Sequence, residues 1–136
     1  MTSMRTLLAA FVAIGFVGGK ALAQEPHQTT SHKGHVTKVV TVVHPEEWNG
    51  PAPAHLKFTG TIFVSNPPVD VEYTWIRSDG AKGPVKKATI RSAGEGFTDT
   101  WDVGAPKQKI KVWERLEVHS PNRASCNPAH ATVNCR

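Results

Sequence analysis

The chain reads as an all-β protein, an antiparallel sandwich of two sheets. Apolar and polar residues alternate strictly through Val69-Asp-Val-Glu-Tyr-Thr-Trp75, with Val69, Val71, Tyr73 and Trp75 on one face and Asp70, Glu72 and Thr74 on the other. Period-two alternation of β-branched and aromatic residues marks a half-buried strand. Turn chemistry brackets it, Asn66-Pro-Pro68 before and Ser78-Asp79-Gly80 after. A tryptophan on the core-facing side of a strand is the usual centre of a two-sheet sandwich.

The first segment is a targeting sequence. Arg5 charges its start, Leu7 to Val17 is an apolar run of eleven residues, and Ala21-Leu22-Ala23 forms an A-x-A cleavage site. Residues 1–23 therefore read as a signal peptide cleaved after Ala23, and the run is too short to span a bilayer. The protein is expected to be secreted or periplasmic, with no membrane span after signal removal. Its charge falls from +5 to +3, because Arg5 and Lys20 leave 14 cations against 11 acids. That balance permits acidic partners without calling for nucleic acid, which asks for a concentrated basic face. Residues 24–35 are polar and aperiodic, a flexible leader carrying His27, His32 and His35. Imidazoles suit copper and zinc, but spacings of five and three match no closed metal site. A solvated tail explains them as well, and no cofactor is expected.

Residues 36–136 make the folded domain. Val36 to Val43, rich in Val and Thr, is a strand, broken by His44-Pro45 and Gly50-Pro51. Trp48, in the connection, is expected to plug one end of the sandwich, with ligand binding as the alternative. In His55 to Ser65, Leu56, Phe58, Gly60, Ile62 and Val64 share a face. A glycine weakens a strand interior unless something needs the space, and the Trp75 ring is the expected occupant. After the central strand, Pro84 to Arg91 is basic at Lys86, Lys87 and Arg91 and suits a sheet edge, where lysines discourage pairing with another chain. Ser92 to Gly96 reads as a turn, and Phe97 to Val103 as a strand with Phe97, Trp101 and Val103 in step. Asp99 and Asp102 are expected to be solvated. Lys107 to His119 follows, with Ile110, Val112, Leu116 and Val118 on one face. Glu114 interrupts that face and predicts a bulge or rim position. Ser120 to Pro128 is loop, and Ala129 to Cys135 closes the domain with Ala129, Ala131 and Val133 in step. The expected core is Phe58, Ile62, Tyr73, Trp75, Trp101, Leu116 and Val118. Short strands with turns roughly every ten residues give an immunoglobulin-like antiparallel β-sandwich of about seven strands, or a small barrel.

Phe58-Thr-Gly60-Thr-Ile62, Tyr73-Thr-Trp75-Ile-Arg77-Ser-Asp-Gly-Ala81 and Trp113-Glu-Arg-Leu116-Glu-Val118-His-Ser-Pro-Asn122 resemble a group of small secreted bacterial immunoglobulin-like domains. The resemblance covers about Val36 to Cys135 and speaks to fold rather than activity, because sandwiches host many functions. It implies a disulfide from the first inter-strand connection to the end of the last strand. Here Ala52 stands at the first position, while Cys135 matches the second and Cys126 lies elsewhere. Extended as one strand, Ala129 to Cys135 carries Cys135 about 20 Å from its start. Cys126 precedes that start by three residues. The two are therefore expected not to pair within one molecule, since bridged Cα atoms lie within ~7 Å.

Chemistry is sparse. The sequence has no G-x-S-x-G elbow, P-loop, H-E-x-x-H or dinucleotide fingerprint. Cys126 and His130 lack a third orienting group, so no enzyme is expected. The one candidate surface is Lys107, Lys109, Lys111, Trp113 and Arg115, four cations and an indole along one strand face. Such a stripe suits an anionic surface ligand or an acidic protein. It also suits an ordinary soluble sheet face with Trp113 under the lysine stems. The functional expectation is a secreted or periplasmic non-catalytic binding module of unknown ligand, with copper or zinc handling through the leader as the alternative.

Overall fold

The computed structural model describes residues 33–136. The predicted signal peptide, His27 and His32 lie outside the described residues. The fold is all-β, two sheets packed face to face, with no helix among the described residues. The smaller sheet has the order β1 (Val36–His44), β3 (Ala54–Val64), β6 (Gly94–Val103). The larger runs β2 (Glu47–Gly50), β9 (Ala129–Cys135), β7 (Lys109–Ser120), β4 (Val69–Arg77), β5 (Lys86–Ile90), with the two-residue β8 (Ala124–Ser125) paired to β7. All pairings are antiparallel except β2 with β9.

Alternation explains the core. Leu56, Phe58, Ile62 and Val64 of β3 face Val69, Val71, Tyr73 and Trp75 of β4 and Val112, Leu116 and Val118 of β7, all buried. Side chains from two inner faces interdigitating in this way fill the ~10 Å gap between stacked sheets. Gly60 is the close approach expected of it. A Cβ there would lie 2.8 Å from Leu116 Cδ1 and 3.0 Å from the Trp75 ring. The sheets are also tied by polar groups. The Leu116 amide donates to Thr41 Oγ1 at 3.3 Å. Asn122 clamps Val36 from both sides, accepting from its amide and donating to its carbonyl, each at 2.9 Å.

Several expectations are corrected. Among the described residues there are nine strands where about seven were expected, because Glu47–Gly50 and Ala124–Ser125 also pair. Trp48 sits in the first of these, at a sheet edge where flanking prolines cost no ladder bond, and packs against the core with Nε1 donating to Pro51 O at 3.1 Å. Gly94 and Gly96 belong to β6 rather than a turn. Trp101 is only partly buried, since it stands on β6, the edge strand of the smaller sheet, beneath the Arg77 guanidinium, 4.3 Å from its ring. Glu114 makes neither bulge nor rim: it stays in register with Arg77 and Ala129 and is fully buried. The bulge in this sheet falls at Glu72/Tyr73 instead. His35, expected in the flexible leader, is docked: its carbonyl accepts from the Ser65 amide at 2.9 Å and its Nδ1 meets Ser65 Oγ at 2.8 Å.

Cys126 and Cys135 are free thiols at opposite ends of β7. Cys126 lies 3.0 Å from Thr41 Oγ1, beside Leu116, whereas Cys135 follows Asn134, the partner of Lys109. The rise from Leu116 to Lys109 is about 24 Å at ~3.4 Å per residue, far beyond bridging distance.

Candidate functional site

The outer face of the larger sheet carries the predicted stripe. Val112, Glu114, Leu116 and Val118 point inward, so Lys109, Lys111, Trp113 and Arg115 must point outward, and they do. Consecutive members stand about 6.8 Å apart along β7, two residues at ~3.4 Å. Lys107 does not join them. It sits in the turn before β7, in the left-handed region with φ of 62°, where Gln108 closes the loop through its amide to Ala105 O at 3.0 Å. One cation that the sequence pattern does not reveal takes its place at the other end. Lys82 bridges to Ile76, which is itself paired with Arg115, so Lys82 extends the Arg115 row across the sheet. Only a contact between strand and returning loop brings it there.

Trp113 is half-buried on this face. Its neighbour across β9 is His130, and its amide donates to Ser78 Oγ at 3.1 Å. The Arg115 guanidinium stands 5.7 Å from the indole ring, within cation–π range. A polar chain then holds Arg115: Nη2 reaches Glu117 at 3.7 Å, Glu117 lies 4.0 Å from His119 Nδ1, and His119 Nε2 meets the buried Thr74 Oγ1 at 2.8 Å. Glu117 thus ends the basic stretch. These exposed and half-exposed pairs stabilise the fold little, and they place a carboxylate on the far side of the guanidinium from the ring.

A second constellation lies in the seam between the sheets. Tyr73 packs on Phe97 with ring centroids 4.8 Å apart. One turn of the pleat further on, Trp75, Arg77, Lys82, Gly83 and Asp99 line a cavity of about 170 Å³. Asp99, expected in solvent, faces inward in phase with Phe97 and Trp101. Behind it lies Glu114, whose oxygens meet no partner in good hydrogen-bond geometry, and the Trp75 Nε1 is likewise unpartnered. Burial raises the Glu114 pKa to about 9, and Asp99 adds to the effect as an acceptor for the proton and as a like charge, while Arg77 opposes it. Glu114 is therefore a neutral acid at physiological pH. At the seam's mouth Arg77 Nη2 bonds Asp79 at 2.8 Å, and that bond, with the Ala81 amide, holds Asp79 below the usual carboxylate range. Asp102 remains outside, 2.6 Å from His55 Nδ1 on an exposed face.

Among the described residues no group of three or more His, Cys, Asp or Glu is placed to hold a metal ion. A larger groove of about 490 Å³, lined by Asp70, Val71, Glu72, Lys87, Ala88, Thr89 and Ser120, is acidic on balance and does not suit an anion.

No family model matches the chain, and no curated protein matches it in sequence. Among solved structures it is similar to Pseudomonas fluorescens alkylpurine DNA glycosylase AlkC bound to DNA containing an abasic site analog. The TM-score is 0.51 at 10% identity, over 76% of this chain and 31% of that one. The chain thus spans about a third of its structural neighbour, and the likeness shows a shared β architecture. It also corrects the functional expectation of a non-catalytic binding module of unknown ligand, together with its copper- or zinc-handling alternative. The architecture recurs in a DNA-bound protein, and charge pattern alone does not tell one polyanion or acidic partner from another.

Proposed function

We propose that the outer face of the larger sheet binds nucleic acid through its phosphodiester backbone. One observation carries the reading: Lys109, Lys111, Trp113 and Arg115 stand on one side of one strand, with Lys82 continuing the Arg115 row. Evenly spaced cations neutralise phosphates, and an indole among them offers a stacking surface. The DNA carried by the structural neighbour adds support to this reading of the ligand. It departs from the composition-based expectation of no nucleic acid, because the face is locally basic although the chain as a whole is only mildly so. Export, read from residues 1–23, belongs to the same proposal and puts the encounter outside the cytoplasm.

Three or four phosphate contacts give weak, salt-sensitive binding, with Kd on the order of 10⁻⁴ to 10⁻⁶ M. Fluorescence anisotropy with labelled oligonucleotides at low and moderate salt tests it. Log affinity should fall linearly with log salt, with a slope of about −2 to −4. Lys109→Glu combined with Lys111→Glu should flatten that slope and weaken binding at least tenfold while leaving the fold intact, since both side chains are exposed. Absence of binding at low salt and ~100 μM protein sinks the proposal.

A further inference from the structure

We infer that this face takes single-stranded nucleic acid, one unstacked strand laid along β7 with a base on Trp113, rather than a duplex. The inference rests on the nucleic-acid reading above and narrows it.

From Lys109 to Trp113 the basic zone is about one strand wide, and it widens only at its Arg115 end, where Lys82 stands two positions across the sheet. Lys109, Lys111, Trp113 and Arg115 lie in a line, and acids bound it. Glu117 follows Arg115 on the same strand and is engaged with it. Glu47 shares the Lys111 row through Thr132, two strands away, which is about 10 Å at ~4.8 Å per strand. A duplex lying across the face would press a phosphate strand against Glu47 or beyond Glu117. A single strand following β7 meets neither.

Spacing points the same way. Outward residues on β7 repeat at about 6.8 Å, roughly twice the stacked rise of ~3.4 Å per nucleotide in one strand of B-form DNA. An extended, unstacked strand has a repeat of that longer size. From Lys109 to Arg115 the line measures about 20 Å, room for roughly three such nucleotides.

Trp113 decides between the two forms. The face of a broad sheet does not enter the major groove, which admits a helix or a two-stranded ribbon. Against a duplex the indole would touch only backbone, because paired bases keep their faces inside the stack. Against a single strand a base is free to lie on the ring. Arg115, at 5.7 Å from the ring and held by Glu117, widens that platform with a second planar group.

The test compares the protein with a labelled single-stranded 12-mer of mixed sequence and with the same 12-mer annealed to its complement, by anisotropy at low salt. Tighter binding of the single strand by about tenfold or more is expected. Trp113→Ala should weaken the single strand roughly five- to a hundredfold, the range of base–aromatic stacking, and leave duplex affinity within about twofold. Trp113→Phe keeps a ring and should restore most of the single-strand affinity, which separates stacking from any loss of fold. Equal affinity for the two forms overturns the single-strand inference and leaves the nucleic-acid reading standing. Loss of both forms alike in Trp113→Ala, with no rescue by Trp113→Phe, also overturns it. Failure of both oligonucleotides to bind removes the nucleic-acid reading itself.

Discussion

Glu114 makes the stability of this protein fall as pH rises through the neutral range. The side chain is fully buried, and its pKa is raised from 4.5 to about 9 by burial and then by Asp99. Below about pH 4.5 both folded and unfolded chains hold the proton, and the group contributes no slope. Between about pH 4.5 and about 9 the folded chain keeps a proton that the unfolded chain has released. Stability then declines by up to ~1.4 kcal/mol per pH unit, a ceiling of about 6 kcal/mol over the whole interval. Above about pH 9 the loss is complete and the curve flattens. Water entering the 170 Å³ cavity beside Asp99 would hydrate the ionised form in part, so about 2–4 kcal/mol is expected, in the range of effective desolvation costs for a buried ion. The assay is urea unfolding from about pH 5 to pH 9.5 for the native sequence and for Glu114→Gln, which keeps the shape and cannot ionise. Ordinary carboxylates and histidines add their own slopes to both curves, and the difference between the curves isolates Glu114. The two proteins should lie close together at about pH 5 and diverge as pH rises, with Glu114→Gln the more stable. Parallel curves across the interval would show that Glu114 ionises freely and that the seam is wet, which would refute the reasoning.

Three further outcomes check the core and the thiols. Trp75→Ala should lower stability by about 3–5 kcal/mol, as large aromatic truncations do, because the ring is 3% exposed between the two sheets; an unmoved denaturation midpoint would contradict the central-strand assignment. Gly60→Ala should cost about 1–3 kcal/mol by overpacking, since the new methyl meets both Leu116 and Trp75 at 3.0 Å or less, and a neutral result in thermal melts would mean that the sheets separate easily there. Cys126, partly exposed, should alkylate in the folded protein, whereas Cys135 at 3% exposure should react only on unfolding; a Cys126–Cys135 linked peptide in non-reducing mass spectrometry would mean that β9 is bent.

The strands were legible because each is written locally. Alternation in β3, β4, β7 and β9 states which residues face inward, and the structure follows it from Leu56 to Val133. The glycine opposite Trp75 could be anticipated because a strand glycine needs a neighbour to justify it. Short edges such as Glu47–Gly50 were not legible, because a parallel pairing with β9 depends on a segment some eighty residues away. Asp99 and Glu114 show a different failure. Each is in phase with apolar neighbours, Asp99 with Phe97 and Trp101, Glu114 with Val112 and Leu116. Alternation alone therefore placed both acids inward. The expectation of solvent or a bulge came from the cost of burying a charge, and that cost is avoided here because Glu114 stays protonated.

The same reasoning weighs the candidate face. An outward row of lysines is what any soluble sheet must display, so Lys109 and Lys111 by themselves carry little information about function. Lys107 shows how weak a charge count is, since the turn at φ of 62° removes it from the row, while Lys82 enters the Arg115 row through a bridge no local pattern records. Trp113 is different in kind. Alternation makes it outward, out of phase with Val112 and Leu116, although burying an indole in the core would be worth far more than leaving it half-exposed. The chain keeps that ring on the surface and sets a guanidinium beside it, held by Glu117 and steadied through His119 by Thr74 beneath. Solubility needs none of this arrangement. A ligand that stacks on a ring between cations would use it, and on that ground the proposal rests on the aromatic rather than on the charges.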